Sequence, residues 1–547
     1  MKFHIKYLII IFLIIISSSS AYSQKGVAGA NTITSSDLES HVSFIASPLL
    51  KGRLNGGEGL EIAAQYLATQ AKLIGLKPAN GNSYFQPYTI IEKLIDPEKT
   101  IVRIISGEKD TIKLSQPLFQ LSMAGPSDFT VEGEVVFAGY GIKIDKYNYN
   151  DFDGISTEGK ILLIMNRAPT SEDGKKFLFE DTPWSSFMSI QVKLSTLLYT
   201  RAKAILVVMD PKSGFLTFDE QYPGISGRLN SSVSLSGEKR VVMDFPGMPK
   251  IIYIHRSLAD ELLKGTGNSL EGLQKTIDSE LKSHSFAITG KKIILTEVSM
   301  TKEKVLNNVA GYIEGRDEVL KNEFVIFSGH YDHIGEQGGM IYSGADDDAS
   351  GCAALLSIAE AFQSLDQKPL RSVLFLWVSG EEVGLFGSKS YVDHPLFPLK
   401  NTVADLNMDM IGRVKGIADS TSETPMSGPT TVFIVTDNQS KELRRIADEA
   451  DRKSVLNFDY SLSGKDHPLQ LFQRSDHFNF VKNDIPVLFF TTGLHTDYHT
   501  PEDVIEKIDF KKMELITKTM YEIGLTVANK RNKLIVDNPY SLWGKSK

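Results

Sequence analysis

Cysteine is almost missing from this chain: Cys352 is the only one in 547 residues, so no intrachain disulfide can form. A small disulfide-stapled extracellular module is thereby excluded. Within SGCAALLSIAEAF the thiol is expected as a small buried apolar residue rather than a nucleophile. Basic charge is not in excess either. A net charge of −8 and a pI near 5.9 argue against nucleic acid as a partner. Internal repeats and low-complexity tracts are lacking after the first two dozen residues. Long apolar runs are scarce too: the single one, Tyr7 to Ile16, follows a lysine-bearing start and is short for a bilayer span. AYS before Gln24 reads as a signal-peptidase site. Residues 1–23 are therefore expected to be a signal peptide, and the protein to be exported, periplasmic or extracellular. No stable membrane anchor is expected after cleavage.

What is present is an ordinary globular composition, 41% hydrophobic and 23% charged, in a chain too long for one core. SSDLESHVSFIAS and EGLEIAAQYLATQAKLIGL read as two helices, and residues 85–117 alternate like strands. From about Leu118 to about Leu295 short strands and frequent glycines dominate, as in EGEVVFAGYGI, GKILLIM and AKAILVVMD. Beyond Val309, apolar runs such as EFVIFSG, SVLFLWVSG, VADLNMDMIG, TVFIVT and IPVLFFTTG alternate with helix candidates at 350–365, 440–451 and 508–529. The fold class is therefore α/β, a mostly parallel mixed sheet flanked by helices, with a β-rich domain inserted. The expected boundaries are 24–117 and 295–547 for the discontinuous α/β domain and 118–294 for the insertion.

Ligands of open α/β sheets bind at the carboxyl ends of the strands, and the polar residues there are informative. EFVIFSG is followed by His330-Tyr331-Asp332-His333, SVLFLWVSG by Glu381-Glu382, and IPVLFFTTG by LHTDYHTPED with His495, Tyr498 and His499. Asp409 ends another strand, and GADDDASG crowds Asp346, Asp347 and Asp348 together. One aspartate satisfies a helix N-cap; three in a row point to a cation. Imidazoles and carboxylates without thiolate fit zinc, with cobalt or manganese as competitors. Asp332 is placed to accept the second ring N–H of His330. Neighbouring Glu381 and Glu382 diverge on an extended segment, so one can bind metal while the other acts as general base. One of the three aspartates is expected to bridge two metals, the others to shape the turn and cap the helix. Asp476 is expected either to cap a helix start or to touch substrate.

SGHYDHIG, GADDDASG, SGEEVGLFGS, NMDMIGR and DYHTPEDV, in that order, resemble the M28 family of di-zinc peptidases; LLKGRLNGGEG and SDHFNFVKNDIPVLFF are similar to it too. The insertion, with VFAGYGI and AILVVMD, resembles a protease-associated domain. The resemblance implies two Zn2+ per chain: Asp347 bridging, His330 and Asp409 completing one site, Glu382 and His499 the other. It implies Glu381 as general base acting on a metal-bridged water, Asp332 orienting His330, and Tyr498 stabilising the oxyanion. His333 and His495 receive no role. The implied activity is hydrolysis of peptide substrates by an exopeptidase, foremost an aminopeptidase. The alternatives are a glutamate-carboxypeptidase-type enzyme, a single-zinc glutaminyl-cyclase-like acyltransferase and a receptor-like binding protein. The insertion is expected to restrict substrate size or to aid a homodimer.

Overall fold

The computed structural model describes residues 27–107, 109–114, 119–120, 125–179, 189–222, 230–238, 248–417, 419, 424–436, 439–464 and 466–542. The expected signal peptide, residues 1–23, lies outside them. Among the described residues no helix is long and apolar enough to cross a membrane.

The chain divides into two compact units, one of residues up to Tyr88 and from Leu306 onward, the other Thr89–Val305. The expected boundaries were 117/118 and 294/295; the compact units divide at 88/89 and 305/306. Both crossings fall inside strands, Phe85–Ile95 and Ser299–Ile313, so no loop marks the change of unit. Strands Ile101–Ser106 and Lys109–Leu114, which sequence alternation alone left with the α/β domain, pair antiparallel with each other. Ile101–Ser106 pairs in turn with Phe286–Glu297, inside the second unit.

In the first unit, β1 (Ser299–Ile313), β2 (Phe324–His330), β3 (Ser372–Val378), β4 (Thr402–Met408), β5 (Thr431–Val435), β6 (Asn457–Asp459) and β7 (Val487–Thr491) line up in the order β1-β3-β2-β4-β7-β5-β6. Pairings β3/β2, β2/β4, β4/β7 and β5/β6 are parallel; β1/β3 and β7/β5 are antiparallel. Every residue of β2, β3 and β4 is buried, which is why β3 and the start of β2 read as apolar runs; β4 also buries Asp405 and Asn407, which share Ser328 Oγ as a hydrogen-bond donor. The helices are α1 (Ser35–Ile45), α2 (Glu58–Ile74), α3 (Ala349–Gln363), α4 (Phe386–Asp393), α5 (Lys441–Asp451), α6 (His477–Val481) and α7 (Phe510–Ala528). On one face Phe324, Ile326, Leu374 and Leu376 pack with Tyr391 of α4 and Phe480 of α6. On the other, Phe327 stacks on Phe375, and Phe362 of α3 meets Tyr521 of α7 edge-on. Helix α4 was not legible in advance; at eight residues it carries too few turns for a periodic signal.

The second unit is less purely β than its glycines and short strands imply. Ile161–Met165, Ala204–Val208 and Lys250–Ile254 run parallel at the centre of an eight-stranded sheet. Helices Ser189–Tyr199, Arg256–Leu263 and Leu270–Glu280 belong to the same unit.

Candidate metal centre

Four strands of the first unit send polar residues to one edge. His330 is the last residue of β2, Glu381 and Glu382 follow β3, Asp409 follows β4, and His499 lies in the loop after β7. The aspartate run enters from the turn before α3. Asp348 is its N-cap, accepting from Gly351 N at 2.9 Å and also from His330 N and Met410 N. Glycine is required at 351, since a Cβ there would stand 2.4 Å from the Met408 carbonyl oxygen. Asp346 accepts the Gly412 N–H at 2.6 Å. These two aspartates cap and shape, and the middle one, Asp347, points its carboxylate between imidazoles.

Nε2 of His330 is 3.1 Å from Asp347 Oδ1 and 3.5 Å from Asp409 Oδ1. On the other side, Nε2 of His499 is 3.2 Å from Asp347 Oδ2 and 3.1 Å from Glu382 Oε2. His333, to which the sequence assigned nothing, reaches Glu382 Oε1 at 2.7 Å through Nδ1. His330, Asp347 and Asp409 offer atoms all within 4.8 Å of one another, and so do His333, Asp347 and Glu382. Nε2 of His330 and Oδ2 of Asp347 are buried without a well-directed hydrogen bond among the described residues. Converging oxygen and imidazole donors without thiolate fit a divalent cation such as zinc.

Electrostatics keeps these carboxylates charged. Burial would raise Asp347, but His333, His330 and His499 outweigh it and hold the carboxyl well below the usual range. Burial and the Asp347 charge would likewise raise Glu382, yet His333 and His499 bring it down to about 2. Glu381 goes the other way: burial pushes it well up, with Glu382 and Asp409 adding to the effect and His330 opposing it. The two adjacent glutamates therefore diverge in charge as well as in direction. Burial would lower His499, but Asp347 and Glu382 raise it to about 9.

Asp332 and Asp476 lie around this cluster. His330 Nδ1 bonds the main-chain carbonyl of Asp332 at 3.2 Å, while the Asp332 carboxylate is 3.7 Å away. That carboxylate accepts instead from Glu381 N, Glu382 N and Asn55 Nδ2. It aligns the glutamates at least as much as the histidine. Asp476 makes no capping hydrogen bond to α6; it is buried, and burial pushes its carboxyl up to about 7. Cys352 is buried as expected, with Sγ 3.0 Å from the His330 carbonyl. Tyr498 stacks on His499 with ring centres 3.8 Å apart, and its hydroxyl accepts from Arg474 at 3.3 Å. His495 lies 3.4 Å from Asp346 Oδ2, on the far side of the aspartate run.

Asp347, Glu381, Asp409 and Tyr498 share one pocket wall with Met410, Leu471, Phe489 and Leu494, and Arg474 stands at the same pocket. Carboxylates, a phenol and an apolar lining meet there.

Residues 308–524 match the family model described as "Peptidase family M28". Aminopeptidase YwaD of Bacillus subtilis is 27% identical over 253 residues, 44% of this chain and 50% of that protein. Leucine aminopeptidase 1 of Trichophyton equinum is 26% identical over 253 residues, 44% of this chain and 62% of that protein. The chain thus spans about half to three fifths of the length of these relatives. Among solved structures, an aminopeptidase from Aneurinibacillus sp. strain AM-1 aligns over 93% of this chain and 97% of its own, with TM-score 0.49 and 18% identity. The candidate centre, from His330 to His499, lies within the residues that match this family model.

Proposed function

We propose that the chain is a zinc-dependent exopeptidase, an aminopeptidase releasing N-terminal residues from peptides. The observation that carries the reading is the placement of Asp347, with one oxygen toward His330 and the other toward His499. His330, Asp347 and Asp409 would hold one zinc, and Asp347, Glu382 and His499 the second. His333 would steady Glu382 from behind. Bound there, zinc supplies Lewis acidity that polarises a carbonyl and makes water a nucleophile near neutral pH.

The chain's own groups then divide the work. Glu381, at the pocket wall and unclaimed by the ligand sets, takes a proton from the attacking water and passes it to the leaving amine nitrogen. The Tyr498 hydroxyl donates to the carbonyl oxygen as it becomes an oxyanion, with Arg474 fixing its direction. The relatives aminopeptidase YwaD and leucine aminopeptidase 1 support an aminopeptidase over a carboxypeptidase. Met410, Leu471, Phe489 and Leu494 offer an apolar wall to the adjoining side chain.

The test is Glu381→Gln. Zinc content stays at the wild-type level while turnover of aminoacyl anilides falls by at least ~100-fold, the usual scale for a positioned base. The wild-type chain cleaves free-amine anilides and leaves their N-acetylated forms intact. Undiminished turnover in the variant would remove Glu381 from the reaction, and equal cleavage of acetylated substrates would remove the aminopeptidase reading.

A further inference from the structure

The segment LLKGRLNGGEG precedes the candidate centre by far in sequence and contains none of its ligands, yet it lies directly against it. Lys51, Gly52 and Arg53 adopt left-handed backbone in succession, with φ of 48°, 68° and 54°. Only glycine fits at 52, where a Cβ would stand 2.3 Å from the Tyr342 carbonyl oxygen and 2.6 Å from that of Gly335. The Arg53 side chain that follows is fully buried.

A guanidinium has five N–H donors, and here they meet five carbonyl oxygens. Nε donates to Tyr331 at 2.8 Å, Nη1 to Ile45 at 2.7 Å and Ser343 at 2.6 Å, and Nη2 to Gly344 at 3.0 Å and Asp347 at 3.4 Å. The Arg53 carbonyl in turn accepts from His333 N at 3.2 Å. Tyr331 follows His330; Ser343 and Gly344 lead into Asp347. One side chain thus grips both turns that carry the facing imidazole and carboxylate. Its partners are carbonyls, so no direct ion pair neutralises its charge, which acts on Asp347, Asp332 and Asp348 through space. A lysine, with three donors on a point charge, cannot reproduce this fork.

We propose that Arg53 is a positioning residue for the metal centre: it holds the His330 and Asp347 turns in facing register before a cation arrives and offsets repulsion among the carboxylates. The inference rests on the zinc-centre reading above. Without the fork, the cation must order those turns itself, and affinity drops.

Arg53→Lys and Arg53→Gln, made in the full chain, are compared with wild type for zinc affinity by competition with a chromophoric chelator. Thermal unfolding of the zinc-free forms is followed alongside. Both variants are expected to fold and to bind zinc about 10- to 100-fold more weakly, the range for residues that orient metal ligands. Excess zinc is expected to restore turnover in Arg53→Lys. Wild-type affinity in either folded variant overturns the proposal. So does a lowered zinc-free unfolding midpoint with unchanged affinity, which assigns Arg53 to stability alone. Should Arg53→Gln not fold, the affinity of Arg53→Lys decides. A wild-type chain that binds no zinc overturns the centre itself, an outcome distinct from a failure of Arg53.

Discussion

Asp503 accepts the backbone N–H of Asp347 at 3.1 Å, so a residue of the loop bearing His499 holds the main chain of the carboxylate that faces it. The same carboxylate accepts from Asp346 N and lies 3.5 Å from Nη1 of Arg413, four residues beyond Asp409. Three loops of the candidate centre meet at one buried side chain. Removing it leaves two buried N–H groups short of an acceptor and takes one of two carboxylates from Arg413, which keeps Asp497. Asp503→Ala is therefore expected to lose roughly 3 to 5 kcal/mol, the usual cost of breaking a buried charged partnership. Asp503→Asn, which keeps an acceptor oxygen, should lose less. Urea unfolding of the two variants measures the difference, and an unchanged midpoint in Asp503→Ala would show the loops to be held elsewhere.

The two histidines around Glu382 make separable predictions. His499 faces both Asp347 and Glu382, whereas the 2.7 Å contact of His333 is with the other Glu382 oxygen. His499→Ala is expected to retain one tightly bound zinc and lose the second. His333→Ala is expected to keep both, with affinity lowered about 10-fold, as when an orienting partner is removed. Elemental analysis after dialysis reads the counts. The reverse pattern would make His333 the ligand.

A pH effect on stability follows from His477. Its ring stacks on Phe489 with centres 4.6 Å apart, and burial lowers its pKa from the ordinary 6.5 to about 3. Between those values the unfolded chain binds the proton and the folded chain does not, so stability falls as pH drops from 6.5 towards 3. At pH 5 the contribution lost is about 2 kcal/mol, from 1.36 kcal/mol per unit over the upper part of that window. His477→Phe retains an aromatic ring at this place and should lose about that much less than wild type between pH 7 and pH 5. Urea unfolding at both pH values checks it; parallel losses in the two proteins would show that His477 does not titrate in this way.

Local patterns carried much of this architecture. The apolar runs of β3 and the start of β2 were legible because both faces of a mostly parallel sheet are covered. The ends of those strands pointed to His330, Glu381 and Glu382 by the same logic. The Asp348 cap was legible too, because capping is settled within one helical turn, here by Gly351 N. Domain limits were not. Phe85–Ile95 and Ser299–Ile313 continue as strands across the change of unit, so composition carries no break there.

The sequence by itself determined the residue types of the centre and the strand ends that deliver them, since spacing and periodicity are local properties. Tertiary structure alone decided which atom serves which partner. His330 leans on a main-chain carbonyl rather than the neighbouring carboxylate, and His333 turned out to face Glu382. Arg53 meets a carbonyl 278 positions away. A hydrogen bond to a carbonyl leaves no trace in the identity of the residue that accepts it, because every residue has one. Such partnerships exist only once packing brings distant backbone together.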